Sequence, residues 1–462
     1  MGAEPNEDHR RRELSFRLRT LERALLDIGP QVRWARSARF LWNLIRVSIG
    51  GVSAQLRSVD PADVEYEDTV SNIETVTDVL HALLGYVEEG QPERVPQAIV
   101  SALEDLVRPI APKSRVLVCY DWTPSNYGYL EAFREELNAV VRTSVRHDAV
   151  DPKSQEAVNV VPDMFAIVFL PAAEQDSVLL HAALAHEIGH GICEVAAIDP
   201  PTVMPDGVVG ELMEAEDGEL LGVLSDFYVR SQAWKRELVA DALSVCLLGP
   251  APFMSLYRLA PNAEPSETHP DSNLRFQLMS VCLKKLCFLN EDNVPPDLSW
   301  LPDTVTRAVE GSQSAVENWP DQVFRLAHTH LEHNVERIAE TAIAFGMEKS
   351  CAFGRDGWDA DYAQDADAPR HQLVRRILHA VPPDTVERVT DKGMRQDQAA
   401  RLPAILNAGW AVYADPKRWL QFCQIFEDGP VQHEFESRRK LQNLVLKAID
   451  TVNVKREWGA TA

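Results

Sequence analysis

The chain has 462 residues, of which 45% are hydrophobic and 25% charged, as is ordinary for a globular protein with enough length for a sizeable core. Its 70 acidic residues outnumber the 46 basic ones and give a formal net charge of −24. A surface field of that sign repels nucleic acid and anionic membranes, so the sequence argues against a DNA-binding or RNA-binding role.

The first part of the chain is predicted to be helical, and a short stretch of strands follows it. In residues 1–110, leucines between Leu14 and Leu25 recur every three or four positions, which is typical of an amphipathic helix. The apolar runs Val116–Tyr120 and Met164–Leu170 are typical of buried strands.

The segment after the second strand carries the most informative motif. We expect a helix here, with Asp176 and Ser177 as its N-cap residues. On such a helix His186 and His190 lie one turn apart on one face, a spacing that suits a tetrahedral zinc site. Glu187 lies between them and is placed to take a proton from a water at the same metal. The helix is otherwise apolar, and a metal is the most economical partner for three buried polar side chains.

A catalytic zinc needs a third protein ligand and one open position. The position that metzincins use for a third histidine holds Ala196, and Glu194 is better explained as a helix-end carboxylate. Glu237 is the better candidate, because Asp241 follows it one turn later and can accept the free N–H of a ligating histidine. The alternative is a solvated acidic pair, whose like charges would repel each other on an otherwise apolar helix.

A third segment runs from Thr268 to Arg275. Pro270 suits the first position of a helix, which places His269 at the cap. His269 and Arg275 could there stabilise the oxyanion of a tetrahedral intermediate; the alternative is a plain capped helix with a surface histidine. After residue 295 the pattern returns to helices.

In this order, the three motifs resemble the gluzincin metallopeptidases, in which H-E-x-x-H on one helix is completed by the glutamate of E-x-x-x-D on a second. The Ala240-Asp241 ending and the T-H-P-x-x-x-x-R segment look most like the branch that contains the membrane CAAX prenyl endopeptidases and their partly soluble bacterial relatives. The resemblance covers roughly residues 165–286. The chain lacks the hydrophobic spans of the membrane members, which argues against a membrane substrate.

The predicted fold class is α+β and mostly helical. We expect a zincin-like metallopeptidase core over residues 111–295, between a helical N-terminal region, 1–110, and a helical C-terminal region, 296–462. The seven scattered cysteines form no C-x-x-C pair, which indicates a reducing compartment. With no secretion signal in the sequence, we expect a cytoplasmic protein without membrane or nucleic-acid partners.

The expected function is zinc-dependent hydrolysis of a protein or peptide substrate. One catalytic Zn²⁺ is held by His186, His190 and Glu237, while Glu187 acts as general base and Asp241 orients a ligand. The helical regions could keep the protease latent until a regulatory partner binds them. The alternative is a non-catalytic interaction or regulatory protein with a zincin-like module. Glu187 argues against it, because a structural zinc has no use for that base and usually takes four protein ligands.

Overall fold

The computed structural model describes residues 5–29, 36–90, 97–121, 127–129, 140, 162–213, 220–290, 294–312, 316, 319, 321–360, 371–389, 393–426 and 432–459. Most of these residues are helical, and the strands among them form one three-stranded and one two-stranded sheet. The protein is thus mostly helical with a small β component, as predicted. No helix within the described ranges is both long and apolar enough to cross a membrane.

The described N-terminal residues form long helices, as expected. They are α1 (Pro5–Ile28), α2 (Arg36–Ser58), α3 (Tyr66–Glu89) and α4 (Gln97–Val107). The leucines from Leu14 to Leu25 are buried, and α1, α2 and α3 share a core with one face of the sheet. Helix α4 instead packs into the main core of the protein, together with the C-terminal helix.

The three-stranded sheet lies between these two cores. Its strands are β1 (Arg115–Asp121), β2 (Gly128–Tyr129) and β3 (Phe165–Pro171), in the order β1-β3-β2. Strands β1 and β3 are parallel, whereas β2 pairs antiparallel with β3. Leu117 and Ile167 face the N-terminal helices, while Val118 and Val168 face the main core. Both faces are buried, which explains why the strands read as continuous apolar runs.

Five helices follow in the described middle of the chain. They are α5 (Leu184–Ala196), α6 (Asp206–Met213), α7 (Leu220–Leu248), α8 (Pro250–Leu259) and α9 (Ser272–Lys285). Two predicted helix starts were wrong. Helix α5 begins at Leu184 instead of after Ser177, because the residues before it form a 3-10 turn, Leu180–Ala183, in which amides bond to carbonyls three residues back, as Leu180 does to Ser177 at 2.8 Å. Helix α9 begins at Ser272 instead of Pro270, with Asp271 as its N-cap.

The described C-terminal residues form further helices and a hairpin. The helices are α10 (Leu301–Gly311), α11 (Gln322–Glu348), α12 (Arg355–Asp359), α13 (Gln372–Ile377), α14 (Leu402–Ala414), α15 (Pro416–Gln424) and α16 (Gln432–Gly459). Strands β4 (Thr385–Val389) and β5 (Arg395–Ala399) form an antiparallel pair. The described C-terminal residues are therefore mostly helical, and the sequence did not predict their hairpin. Strand β5 is polar and largely exposed, so it shows no apolar alternation by which it could be recognised.

The main core holds the middle and the end of the chain together. Helix α7 runs through it and packs against α5, α9 and α11, while α14 and α16 contribute buried residues to the same cluster. The boundaries predicted near residues 110 and 295 stay a prediction, and the core itself is continuous across residue 295.

Candidate metal centre

Two helices in close contact carry the predicted ligands. Gly189 on α5 lies against the backbone of Ala240 on α7, where an added Cβ would come within 2.9 Å of the Ala240 Cα and carbonyl oxygen. Only glycine allows the two backbones to approach so closely. Since His186 and His190 flank Gly189, and Glu237 lies one turn before Ala240, this contact brings the candidate ligands together.

The three predicted ligands face one point. His186 Nε2 lies 3.3 Å from His190 Nε2 and 3.1 Å from Glu237 Oε2, while His190 Nε2 lies 3.4 Å from Glu237 Oε1. Zinc bonds to nitrogen and oxygen are about 2.0–2.1 Å long, so tetrahedral ligands lie about 3.3–3.4 Å apart. Two imidazoles and a carboxylate at these separations fit a zinc ion in both donor type and spacing.

A buried carboxylate fixes the orientation of His186. Asp241 is fully buried, and its Oδ1 lies 2.8 Å from His186 Nδ1. Because a carboxylate only accepts, Nδ1 must donate and Nε2 is left to face the site. Arg275 holds Asp241 from the other side, with Nε donating to Oδ2 at 2.7 Å and Nη2 to Oδ1 at 2.8 Å. Asp241 therefore links the His186 ring to the Arg275 guanidinium.

The two histidines have opposite electrostatic environments. Burial opposes the charge of His186, but the negative Asp241 and its hydrogen bond outweigh burial and raise the His186 pKa to about 10. Burial, together with the positive charge of His186, lowers the pKa of His190 to about 4. A metal that binds at Nε2 of His186 must displace a proton there, so metal uptake at this site releases protons.

The carboxylates of the site also differ from one another. Burial disfavours a charge on Glu237, yet the hydrogen bond from His186 and the charge of His186 lower its pKa to about 2. Burial is the main influence on Glu187 and raises its pKa to about 7. One carboxylate is thus held ionised as a ligand requires, while the other exchanges a proton near neutrality.

Glu187 lies beside the ligands and opens onto a cavity. Ligand atoms of His186, Glu187 and His190 lie within 4.8 Å of one another. The cavity has a volume of about 160 Å³, and Glu187, His269 and Tyr127 line it. The buried Tyr127 hydroxyl has no hydrogen-bond partner among the described residues. The sequence pointed to no role for Tyr127, because it follows β1 in a polar segment without a motif and only the fold brings it to the site.

His269 and Arg275 have different positions in the site. His269 Nε2 lies 3.3 Å from Glu237 Oε2, and about half of its side chain is exposed at the cavity mouth. Burial lowers the His269 pKa, although the charge of Glu237 opposes this. The Arg275 guanidinium is buried and bidentate on Asp241. His269 and Arg275 were expected to stabilise the oxyanion together. Instead, His269 lies beside Glu237, whereas Arg275 contacts Asp241.

Cys193 and His328 lie near the motifs, and among the described residues neither contacts the candidate ligands in a way that indicates a catalytic role. Burial raises the pKa of the Cys193 thiol to about 12, which disfavours a nucleophilic thiolate. His328 lies 3.3 Å from the buried N-cap carboxylate of Asp271, and its ring stands edge-on to Trp319.

In comparisons with known proteins, no family model, no curated protein and no solved structure matches this chain.

Proposed function

We propose that this protein is a zinc-dependent endopeptidase of the gluzincin type, similar to soluble relatives of the CAAX prenyl endopeptidases. One observation carries the proposal: donor atoms of His186, His190 and Glu237 lie 3.1–3.4 Å from one another, as around a tetrahedral zinc ion, and a second glutamate, Glu187, lies beside them without a hydrogen-bond partner among the described residues. A structural zinc would have no use for this extra carboxylate.

Each residue of the site has a separate role in the proposed hydrolysis. His186, His190 and Glu237 would hold the ion, and Asp241 keeps the His186 tautomer that leaves Nε2 free to bind it. A bound zinc ion supplies Lewis acidity, which lowers the pKa of water and polarises the scissile carbonyl. Glu187 accepts the proton of the attacking water and passes it to the leaving amine. Arg275 acts as a positioning residue through Asp241.

Two side chains at the cavity are available to the carbonyl oxygen of the substrate. His269 reaches the cavity from the segment before α9, and Tyr127 reaches it from the segment before β2. A hydrogen bond from either group to an oxyanion stabilises it most in a site that excludes water. The unpartnered hydroxyl of Tyr127 supports this assignment.

The space around the candidate ligands favours an endopeptidase over an exopeptidase. The cavity next to Glu187 is also lined by His186, and a separate cavity of about 380 Å³ is lined by His190, Lys235 and Val239, so open space adjoins each of the two histidines. A polypeptide that crosses the site thus finds space on both sides of its scissile bond.

The test compares the full chain with its Glu187→Gln variant. We expect one equivalent of zinc in both by elemental analysis, and cleavage of an unfolded casein substrate by the unaltered protein alone. New N-termini identified by mass spectrometry report the cleavage sites. Glu348→Gln, which alters an exposed carboxylate at the end of α11, serves as the control and should retain activity. Hydrolysis by Glu187→Gln at the normal rate would refute the mechanism.

The alternative, a non-catalytic regulatory module, is distinguished by inhibitor binding. A hydroxamate needs an open position on the metal, so we expect it to bind the zinc-loaded protein. Zinc content without hydroxamate binding would favour the regulatory module. Hydroxamate binding without casein hydrolysis would instead indicate a latent protease whose helical regions restrict the cleft.

A further inference from the structure

Helix α6 and the first half of α7 are apolar on two sides. Their inner sides pack together and against α11 through Val208, Leu212 and Phe227, which are buried. Their outer sides carry large apolar residues that remain in solvent. We define the α6–α7 apolar face by these exposed residues: Val209 43%, Met213 72%, Leu221 81%, Tyr228 65% and Val229 63%. Clustered apolar exposure of this kind marks an interaction site more often than an ordinary surface.

The charged residues that α6 carries, and those of α7 up to Val229, are all acidic. Arg230 follows Val229 directly, and its guanidinium lies 4.6 Å from the centre of the Phe324 ring. Asp206, Glu211 and Asp226 are exposed among the apolar side chains. The field of this surface repels an anionic membrane and a second copy of a chain with net charge −24, and it attracts a basic partner.

The α6–α7 apolar face is continuous with the cleft beside the metal ligands. Leu221, Tyr228, Gln232, Lys235 and Val239 recur at helical spacing along one side of α7. The last three line the 380 Å³ cavity together with His190. The step from Tyr228 to Val239 corresponds to about 16 Å of helix, a distance that a few extended residues span. The basic Lys235 lies in the cavity beyond the face and is paired with Asp199 at 2.5 Å.

We propose that the α6–α7 apolar face is a docking site for a basic, amphipathic segment of a partner polypeptide. The apolar side of the segment covers Met213, Leu221 and Tyr228, and its lysines or arginines meet the surrounding carboxylates. The continuity with the cleft directs the adjoining part of the partner toward the metal ligands. The identification of this partner as the substrate rests on the proposed function, whereas the docking does not.

The test measures binding separately from hydrolysis. The full chain with Glu187→Gln is titrated into a fluorescein-labelled peptide of leucine and lysine, about 18 residues long, with its leucines at helical spacing. Fluorescence anisotropy reports the dissociation constant. We expect binding that weakens as salt is added, and weaker binding of two matched peptides, in which glutamate replaces lysine or serine replaces leucine.

Variants of the protein test whether the peptide binds to the α6–α7 apolar face. We expect the double variant Leu221→Ser/Tyr228→Ser to weaken binding at least about tenfold, because apolar burial is lost. The charge variant Glu211→Lys/Asp226→Lys should weaken binding and reduce its dependence on salt. Leu420→Ser removes an apolar side chain of similar exposure on α15 and should leave binding unchanged. Zinc content and circular dichroism verify that each variant is folded.

Three outcomes would overturn the docking site: no peptide binding, equal binding by the unaltered face and Leu221→Ser/Tyr228→Ser, or preference for the glutamate peptide. Binding of phosphatidylserine vesicles through the same residues would assign the face to a membrane. A dimer in sedimentation that Leu221→Ser/Tyr228→Ser abolishes would assign it to a second copy. None of these results bears on casein hydrolysis, so the docking site and the proposed function can fail independently.

Discussion

Replacing Gly189 by alanine adds one methyl group at the contact between α5 and α7. The new Cβ would lie 2.9 Å from both the Cα and the carbonyl oxygen of Ala240, whereas ordinary contact begins at 3.4 Å. Both clashing atoms belong to the backbone, so no side chain can turn away to relieve the contact. The two helices must therefore separate by about 0.5 Å, because a packed interior leaves no other space.

The separation should affect zinc binding more than folding. Overpacking of this kind costs about 1–3 kcal/mol. Alanine in place of a helical glycine contributes about 1 kcal/mol in the opposite sense. We therefore expect a net loss of at most about 2 kcal/mol in the free energy of unfolding. Metal sites tolerate errors of only about 0.2 Å in ligand distance, so moving Glu237 away from His186 and His190 should weaken zinc binding at least about tenfold.

The assay is a zinc titration against a chromophoric chelator, combined with urea unfolding of the same samples. Gly85→Ala is the matched control, because it makes the same change inside α3, where an added Cβ meets nothing within 4 Å. It should raise stability by up to about 1 kcal/mol and leave zinc affinity unchanged. If Gly189→Ala instead gains stability like Gly85→Ala and binds zinc normally, the helix contact does not set the ligand geometry.

Three further predictions concern single side chains. Asp241→Asn removes the carboxylate shared by His186 and Arg275, so we expect zinc affinity to fall about 10–100-fold and the free energy of unfolding to fall by about 3–5 kcal/mol, because Arg275 is left buried without its partner. His269→Ala should lower kcat for peptide hydrolysis about 100-fold without loss of zinc; an unchanged kcat would remove His269 from the mechanism. The third concerns His371, which is buried against Trp358 and whose pKa is lowered to about 3 by burial. Its stabilising contribution is present above the unfolded pKa of about 6.5 and is lost as the pH falls toward 3. Because other buried histidines titrate in both proteins, the free energy of unfolding lost between pH 6.5 and pH 5 should be about 2 kcal/mol smaller in His371→Gln than in the unaltered protein.

The local pattern of the chain was sufficient to select candidate ligands, and their role in binding a metal stays a prediction. His186, Glu187 and His190 depend only on the spacing of residues along one helix, and Glu237 with Asp241 repeats that spacing on another. The strands β1 and β3 were recognised to within one residue at each end, because they are short apolar runs. The periodicity of apolar residues shows which positions of a helix or strand share a face. It can be recognised without knowing which other element packs against that face.

Only the tertiary structure determined which groups meet. The Leu179 amide, just before α5, donates to the side chain of Gln442, which is 263 residues away in sequence. The orientation of Arg275 toward Asp241 and the position of Tyr127 at the cavity also depend on distant segments. Such contacts leave no periodic trace in the sequence, since each depends on where another element packs. The sequence by itself determined the chemistry of the candidate ligands, and the packing of α5 against α7 decided that this chemistry converges on one point.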